Sequence, residues 1–386
     1  MKEITNEEIA QRTLALRDEI IGTWRSFVDR DCGTGSKAGV DACGREVAGM
    51  LEKLGFTVRF HEAERAGNLL VADRGDPAEP PALLVGHLDT VFADGAARER
   101  PFTIGEDGRV TGPGVLDMKG GVTVLLYALR ILTEAGWAGR HVRVLLAADE
   151  ETGHRDSDAG ERLLEEARGA AFGLNFETSY EDDSVIVERK GVAQFRVEIE
   201  GVGAHVGNDP RGGRSAITEL AWKILDINAL TDWDEGSTLN VGVVKGGTVA
   251  NACAEKASAV VDLRYPTPAA YARVLAGMRA LETHAHVEGT RTRVTLLGKV
   301  EPMVRLESSV KLFERINAIA TRNGFPAMTA KAVGGGSDSA YLTAAGVPVV
   351  CALGVKGRFN HTVREYARLD SIFERIRLAA TLLRDL

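Results

Sequence analysis

The sequence predicts an α/β protein: a mixed, mostly parallel sheet flanked by helices, with an inserted ferredoxin-like α+β segment. Three observations carry this prediction. Apolar runs of strand length near 82–86, 142–148 and 171–176 alternate with helical periodicity, the pattern of a largely parallel sheet. Each run ends in acid or histidine, and open α/β sheets gather ligands at the carboxyl ends of their strands. From about 188 the pattern changes to alternating polar and apolar residues in the order β-α-β-β-α-β, and helices with continuous apolar strands resume after about 303. The expected boundaries are therefore 1–188 and 302–386 for one domain and 189–301 for the insertion.

In chain order, Ile9, Leu14, Leu16, Ile20, Ile21, Trp24 and Phe27 recur at three- and four-residue steps and predict a helix over 3–30. Gly33 to Gly39 breaks it. Gly33-Thr34-Gly35-Ser36-Lys37 resembles a phosphate loop, but the G-x-x-x-x-G-K-[ST] order is absent, so a plain turn is expected. A helix at about 40–54 stops at Gly55, strands follow near 56–60 and 68–72, and a Pro-rich link occupies 75–81. The strand 82–86 runs into His87-Leu88-Asp89-Thr90. With a side-chain period of two, His87 and Asp89 share a face, and a carboxylate there can hold the second imidazole nitrogen.

Glycines at 112, 114, 120 and 121 flank Asp117 and imply a tight loop with close backbone approach. Asp117 then precedes an amphipathic helix at about 119–134, where its alternative use is as N-cap and where Lys119 is expected to be a solvated first-turn charge. The strand 141–148 ends in Asp149-Glu150-Glu151. Three acids at the end of a buried strand need positive charge nearby, either basic side chains or a metal ion. A metal lets one acid ligate while its neighbour moves a proton. A helix at 160–168 and the strand 171–176 lead to Glu177.

The insertion reads as a strand around 194–200, a helix at 214–230, strands at 239–245 and 256–265, a helix at 267–284 and a strand at 291–298. A further strand at 347–351, a loop from Gly357 to Arg364 containing His361, and a helix at 370–384 complete the chain.

At 386 residues the chain is long for one core, so two domains are expected. The net charge of −8 argues against nucleic acid or anionic membrane as the main partner. No apolar run is long enough to span a bilayer, and the first residues lack the basic flank and apolar core of a signal peptide. Cys32, Cys43, Cys253 and Cys351 are scattered without metal spacing, which fits reduced thiols in a cytoplasmic protein.

Five segments together resemble the zinc-dependent aminoacylase/carboxypeptidase family of metallopeptidases, and its glutamate carboxypeptidase branch most of all. They are His87-Leu88-Asp89-Thr90-Val91, Gly112-Pro113-Gly114 with Asp117-Met118-Lys119-Gly120-Gly121, Asp149-Glu150-Glu151, Phe176-Glu177-Thr178-Ser179, and Gly334-Gly335-Gly336-Ser337-Asp338-Ser339-Ala340. The resemblance implies a zinc-peptidase-like catalytic domain with an inserted lid and dimerisation domain, hence a homodimer. It implies two divalent ions about 3.5 Å apart, zinc in the first place with manganese or cobalt as substitutes. Asp117 would bridge them, His87 and Glu177 completing one site and Glu151 and His361 the other.

By the same resemblance, Glu150 would be the general base that takes a proton from the metal-bridging water and passes it to the leaving amine, and Asp89 would orient His87. His205, in Gly203-Ala204-His205-Val206-Gly207, would donate to the oxyanion of its own or the partner subunit's site. Asn251 and Arg264 would bind a substrate carboxylate, for which the planar guanidinium is suited, and Gly335 and Gly336 would line the specificity side. An arginine closing a strand pairs with a neighbouring acid as often as with a ligand.

The chain departs from that family at Thr152 to Asp158, at Ser337-Asp338-Ser339, and at Lys299, where relatives carry an arginine. His61, His141, His154, His284 and His286 match no motif. The implied reaction is hydrolysis of a C–N bond in a small amide substrate with a free carboxylate. An N-acyl-amino-acid deacylase, a dipeptidase and an aromatic amine or amide hydrolase are alternatives on the same machinery. A non-catalytic binding relative would be expected to lack a ligand or the base, and none is missing.

Overall fold

The computed structural model describes residues 4–137 and 139–386. Glu3, the first residue of the expected N-terminal helix, lies outside them. That helix is two: α1 (Asn6–Ala15), capped by the Thr5 hydroxyl accepting from Glu8 N–H at 3.1 Å, and α2 (Arg17–Val28), with the break at Leu16. Next come α3 (Lys37–Lys53), β1 (Thr57–His61), β2 (Leu69–Arg74), β3 (Ala82–His87) and α4 (Ala96–Glu99). They are followed by β4 (Thr103–Ile104), β5 (Arg109–Thr111), α5 (Lys119–Glu134), β6 (Val142–Ala147), α6 (Ala159–Ala167), β7 (Phe172–Asn175) and β8 (Ser184–Arg189).

The middle of the chain forms β9 (Gly191–Glu200), α7 (Ala216–Asn228), β10 (Thr238–Gly246), β11 (Lys256–Tyr265), α8 (Pro268–Ala280) and β12 (Arg291–Val300). The last part holds α9 (Glu307–Arg322), β13 (Thr329–Val333), α10 (Ser339–Ala344), β14 (Val349–Val350), β15 (Gly357–Arg358), β16 (Tyr366–Arg368) and α11 (Leu369–Asp385).

Two compact units result. The first is Met1–Glu188, Arg305–Ala332 and Ser337–Leu386; the second is Arg189–Val304 and Val333–Gly336. The second unit thus runs a few residues past 301 and takes in a short return segment that a single insertion does not anticipate. Hydrogen bonds explain the return: Lys190 N–H donates to Val333 O at 3.0 Å, and the Arg189 guanidinium donates to Gly335 O and Gly336 O at 3.2 and 3.0 Å.

In the first unit a six-stranded sheet runs β1-β2-β6-β3-β7-β14. β6, β3, β7 and β14 are parallel, and β1 and β2 form an antiparallel edge. Every residue of β3 and β7 is buried, as expected where helices cover both faces of a parallel sheet. The second unit is an antiparallel sheet in the order β10-β11-β9-β12, with the alternating burial of β9 marking one covered and one open face. That strand order and the β-α-β-β-α-β succession are ferredoxin-like. Among the described residues no helix is long and apolar enough to cross a membrane.

Candidate metal centre

Strand register brings the first candidate ligands together. β3 pairs in parallel with β6 (His87 opposite Ala147) and with β7 (Val85 opposite Asn175). The three strands therefore end side by side, and His87, Asp149 to Glu151 and Glu177 emerge along one rim. The other two candidate ligands, Asp117 and His361, come through a small sheet, β15-β16-β5-β4. Tyr366 of β16 lies opposite Thr111 of β5, so the loop carrying His361 runs beside the loop carrying Asp117.

The Asp117 loop needs its glycines. Gly114 has a φ of 71°, and a Cβ on Gly121 would stand 1.9 Å from the Phe176 carbonyl oxygen, so only glycine lets α5 approach β7 there. Asp117 is no N-cap; Met118 holds that position and the Asp117 carboxylate faces two histidines.

His87 Nε2 lies 3.2 Å from Asp117 Oδ1 and 3.7 Å from Glu177 Oε1. Across the same carboxylate, His361 Nε2 lies 3.2 Å from Asp117 Oδ2 and 3.0 Å from Glu151 Oε2. Within each triad the donor atoms are all within 4.8 Å of one another. Donors at about 2.0–2.1 Å around a tetrahedral zinc stand about 3.4 Å apart, so both triads fit a divalent ion. Glu151 Oε1 is also buried without a hydrogen-bond partner, a lone pair suited to a cation. Glu150 belongs to neither triad, and its Oε2 lies 4.0 Å from His87 Nε2.

The electrostatics are those of an acidic cluster out of water. Burial opposes ionisation of Asp117, yet His361 and His87 hold its carboxyl far below the usual range. Burial would lower His87, but Asp117, Asp89, Glu177 and Glu150 push it well up. Hydrogen bonds to Asp117 and Glu151 raise His361 to about 11. Burial and the Asp117 charge push Glu151 up to about 7. Burial likewise pushes Glu150 well up; His87 opposes it and Glu177 adds to it.

Several partners were not legible from spacing. The Glu365 carboxylate, fully buried, accepts N–H groups of Gly114, Leu116 and Asp117 at 3.2, 2.8 and 3.0 Å and so fixes the Asp117 loop. Asn360 Nδ2 donates to Asp117 Oδ2 at 3.0 Å. His154 is buried between Asp149 and Asp338.

One expectation needs correction, and one is extended. Lys119 is buried, not solvated: its Nζ donates to Arg30 O at 2.8 Å, because the glycine loop turns the helix start inward. Asp89 meets His87 mainly through its backbone oxygen, 3.0 Å from Nδ1, with its carboxylate at 3.4 Å. That carboxylate also accepts Thr34 Oγ1 at 2.6 Å and the N–H groups of Glu150 and Glu151 at 3.1 and 3.2 Å. Asp89 thus holds the Glu150–Glu151 turn as well as the histidine.

His205, Asn251, Arg264, Gly335 and Gly336 belong to the second unit. His205 and Asn251 are neighbours there, with Val206 N–H donating to Asn251 O at 3.1 Å. Gly207 N–H donates to His205 Nδ1 at 3.2 Å, which leaves the ring proton on Nε2 for an outside acceptor. Arg264 Nε is 2.8 Å from Asp262 Oδ1 and its Nη1 donates to Gly334 O at 3.1 Å, so a neighbouring acid orients the fork. Lys299 Nζ is paired with Glu301 at 2.5 Å and lies 4.4 Å over the Tyr271 ring.

Comparison with known proteins points the same way. The sequence profile of peptidase family M20/M25/M40 matches residues 83–385. Carboxypeptidase G2 of Pseudomonas sp. (strain RS-16) is 30% identical over 375 residues, covering 95% of this chain and 89% of that protein. Succinyl-diaminopimelate desuccinylase of Phenylobacterium zucineum is 28% identical over 350 residues, 86% of this chain and 89% of that protein. In fold, a tripeptidase from Staphylococcus aureus superposes with a TM-score of 0.79 at 24% identity, covering 95% of this chain and 97% of that one.

Proposed function

The chain belongs to peptidase family M20/M25/M40 and is a metallohydrolase, and from that premise we propose a glutamate-carboxypeptidase-like exopeptidase. In this reading it releases a C-terminal amino acid from an N-acyl or peptidyl substrate. The observation that carries it is the division of one carboxylate between two candidate ligand groups, Asp117 Oδ1 toward His87 and Oδ2 toward His361, with Glu150 4.0 Å from His87 and in neither group.

His87, Asp117 and Glu177 would hold one divalent ion and Asp117, Glu151 and His361 the other; zinc suits this mixed nitrogen and oxygen set, and manganese or cobalt can substitute. When bound, such a pair supplies Lewis acidity that polarises the amide carbonyl and makes water a nucleophile near neutral pH. Glu150 accepts the proton of the attacking water and returns it to the amine nitrogen as the C–N bond breaks, so no net proton is consumed. Asp89 keeps Glu150 and Glu151 in place through their backbone N–H groups. His205 Nε2–H would donate to the developing oxyanion, from its own or a partner subunit, and Arg264 with Asn251 would bind the carboxylate of the released amino acid, Gly335 and Gly336 lining that side. A homodimer assembled through the second unit and a cytoplasmic location complete the proposal.

Glu150→Gln tests it. The variant should keep fold and bound metal while kcat falls by about 10²–10⁴-fold, the usual worth of general acid–base catalysis. Retained turnover would remove Glu150 from this role. A panel of N-acyl amino acids, dipeptides and aryl amides on metal-loaded protein separates the carboxypeptidase reading from the deacylase, dipeptidase and amidohydrolase alternatives.

A further inference from the structure

We propose that His154 is a positioning residue for this hydrolysis: by bridging Asp149 and Asp338 it locks the turn that carries Glu150 and Glu151. The inference rests on the proposed reading of the site as a hydrolytic centre. The ring of His154 is gripped from both sides, Nδ1 2.8 Å from Asp149 Oδ1 and Nε2 2.8 Å from Asp338 Oδ1. An ionised carboxylate only accepts, so a ring held in this way donates from both nitrogens and is positively charged. Burial alone would lower its pKa, but Asp338 and Asp149 push it well above the ordinary range.

The backbone converges on the same point. His154 adopts a left-handed φ of 55°, and its N–H donates to the Asp149 carbonyl at 3.1 Å. That carbonyl also accepts the Thr152 N–H at 3.3 Å and the Thr152 hydroxyl at 3.2 Å. Asp149 is the residue from which the short 3-10 turn Glu150–Thr152 starts. The turn is therefore held by Asp89 through the N–H groups of Glu150 and Glu151, and by His154 through Asp149.

Without the imidazole, Asp149 and Asp338 would be two buried acids, each already carrying one oxygen with no hydrogen-bond partner. With the bridge gone, Asp149 loses the side-chain contact that ties it to Asp338, and the turn is free to rotate. A shift of about 1 Å in a positioned group costs about 100-fold in rate.

The test uses full-length metal-loaded protein and the N-acyl amino acid that it turns over fastest. The variants are His154→Asn, whose new side chain tolerates a left-handed backbone, Asp338→Asn, and the two combined. His154→Asn should lower kcat by about 10- to 100-fold, with KM within about twofold and bound metal unchanged, at a temperature where it is fully folded. The combined variant should be no slower than the slower single, because both act through one bridge. A kcat within twofold of the parent in folded His154→Asn would overturn the proposal, as would losses that simply add.

If no variant folds, nitrogen-15 NMR of the parent decides. One slowly exchanging histidine ring protonated on both nitrogens at pH 8 supports the bridge, and a parent with no such ring contradicts it. Glu150→Gln separates this inference from the reading beneath it: a silent His154 beside an essential Glu150 sinks this inference alone, whereas an active Glu150→Gln sinks that reading as well.

Discussion

Asp117 is the side chain on which the proposed centre turns, because its two oxygens face two candidate ligand groups and its loop is held by Glu365. That support can be tested: Glu365→Gln offers one acceptor oxygen where the carboxylate has two, so the Asp117 loop should loosen. Metal affinity should fall by about 10- to 100-fold, the usual effect of losing a partner that orients a ligand, with the circular dichroism spectrum unchanged. An unaltered affinity by competition with a chelator would count against it. For the substrate side, Arg264→Ala should raise KM chiefly for substrates with a free carboxylate and leave their amides or esters little affected. Equal effects on both would argue that the pairing with Asp262 is the whole role of Arg264. Of the candidate ligands, His87, Glu151 and Glu177 stand out in the sequence at the ends of apolar strands, whereas Asp117 and His361 lie in loops and rest on the family resemblance. His154, Glu365 and Asn360 are not legible there, since their partners lie 184, 248 and 243 residues away and no spacing rule reaches that far.

At the scale of elements, the long ones follow from periodicity and the short ones do not. α5 runs over Lys119–Glu134, as its stripe of apolar residues predicts. β15 and β16, of two and three residues, carry too little pattern to read, yet their pairing with β5 is what delivers His361. The antiparallel edge of the main sheet shows a different kind of element contact. Arg59 of β1 reaches Asp73 of β2 at 2.7 Å and Glu166 of α6 at 2.6 Å, and Arg143 of β6 reaches the same two acids at 2.8 and 2.9 Å. Burial would raise both carboxyls. For Asp73, hydrogen bonds from Arg143 and Arg59 outweigh it, and for Glu166 those from His61 and Arg59, so both stand below the usual range. A carboxyl with a depressed folded-state pKa stabilises the fold above its ordinary pKa, about 4, and that contribution disappears as pH falls through the folded-state value. The difference in unfolding temperature between the parent and Asp73→Asn should therefore be widest near neutral pH and shrink below about pH 4. A difference independent of pH would show that Asp73 contributes by packing alone.

Across the whole molecule, the main sheet and the candidate ligands come from both ends of the chain, with the second unit spliced between. The change from near-continuous apolar strands to alternating ones marks that unit at Arg189, because a sheet with one open face must alternate. Its return segment, Val333–Gly336, has no comparable signature; hydrogen bonds from Arg189 and Lys190 assign it. The central claim is that ligands drawn from residues 87 to 361 grip two cations through one shared carboxylate. Anomalous scattering from crystals of the zinc-loaded protein tests it most directly. Two peaks are expected, one among His87, Asp117 and Glu177 and one among Asp117, Glu151 and His361, with Asp117 common to both. Density for a metal elsewhere, or a fully active protein with no peak at either position, would contradict it.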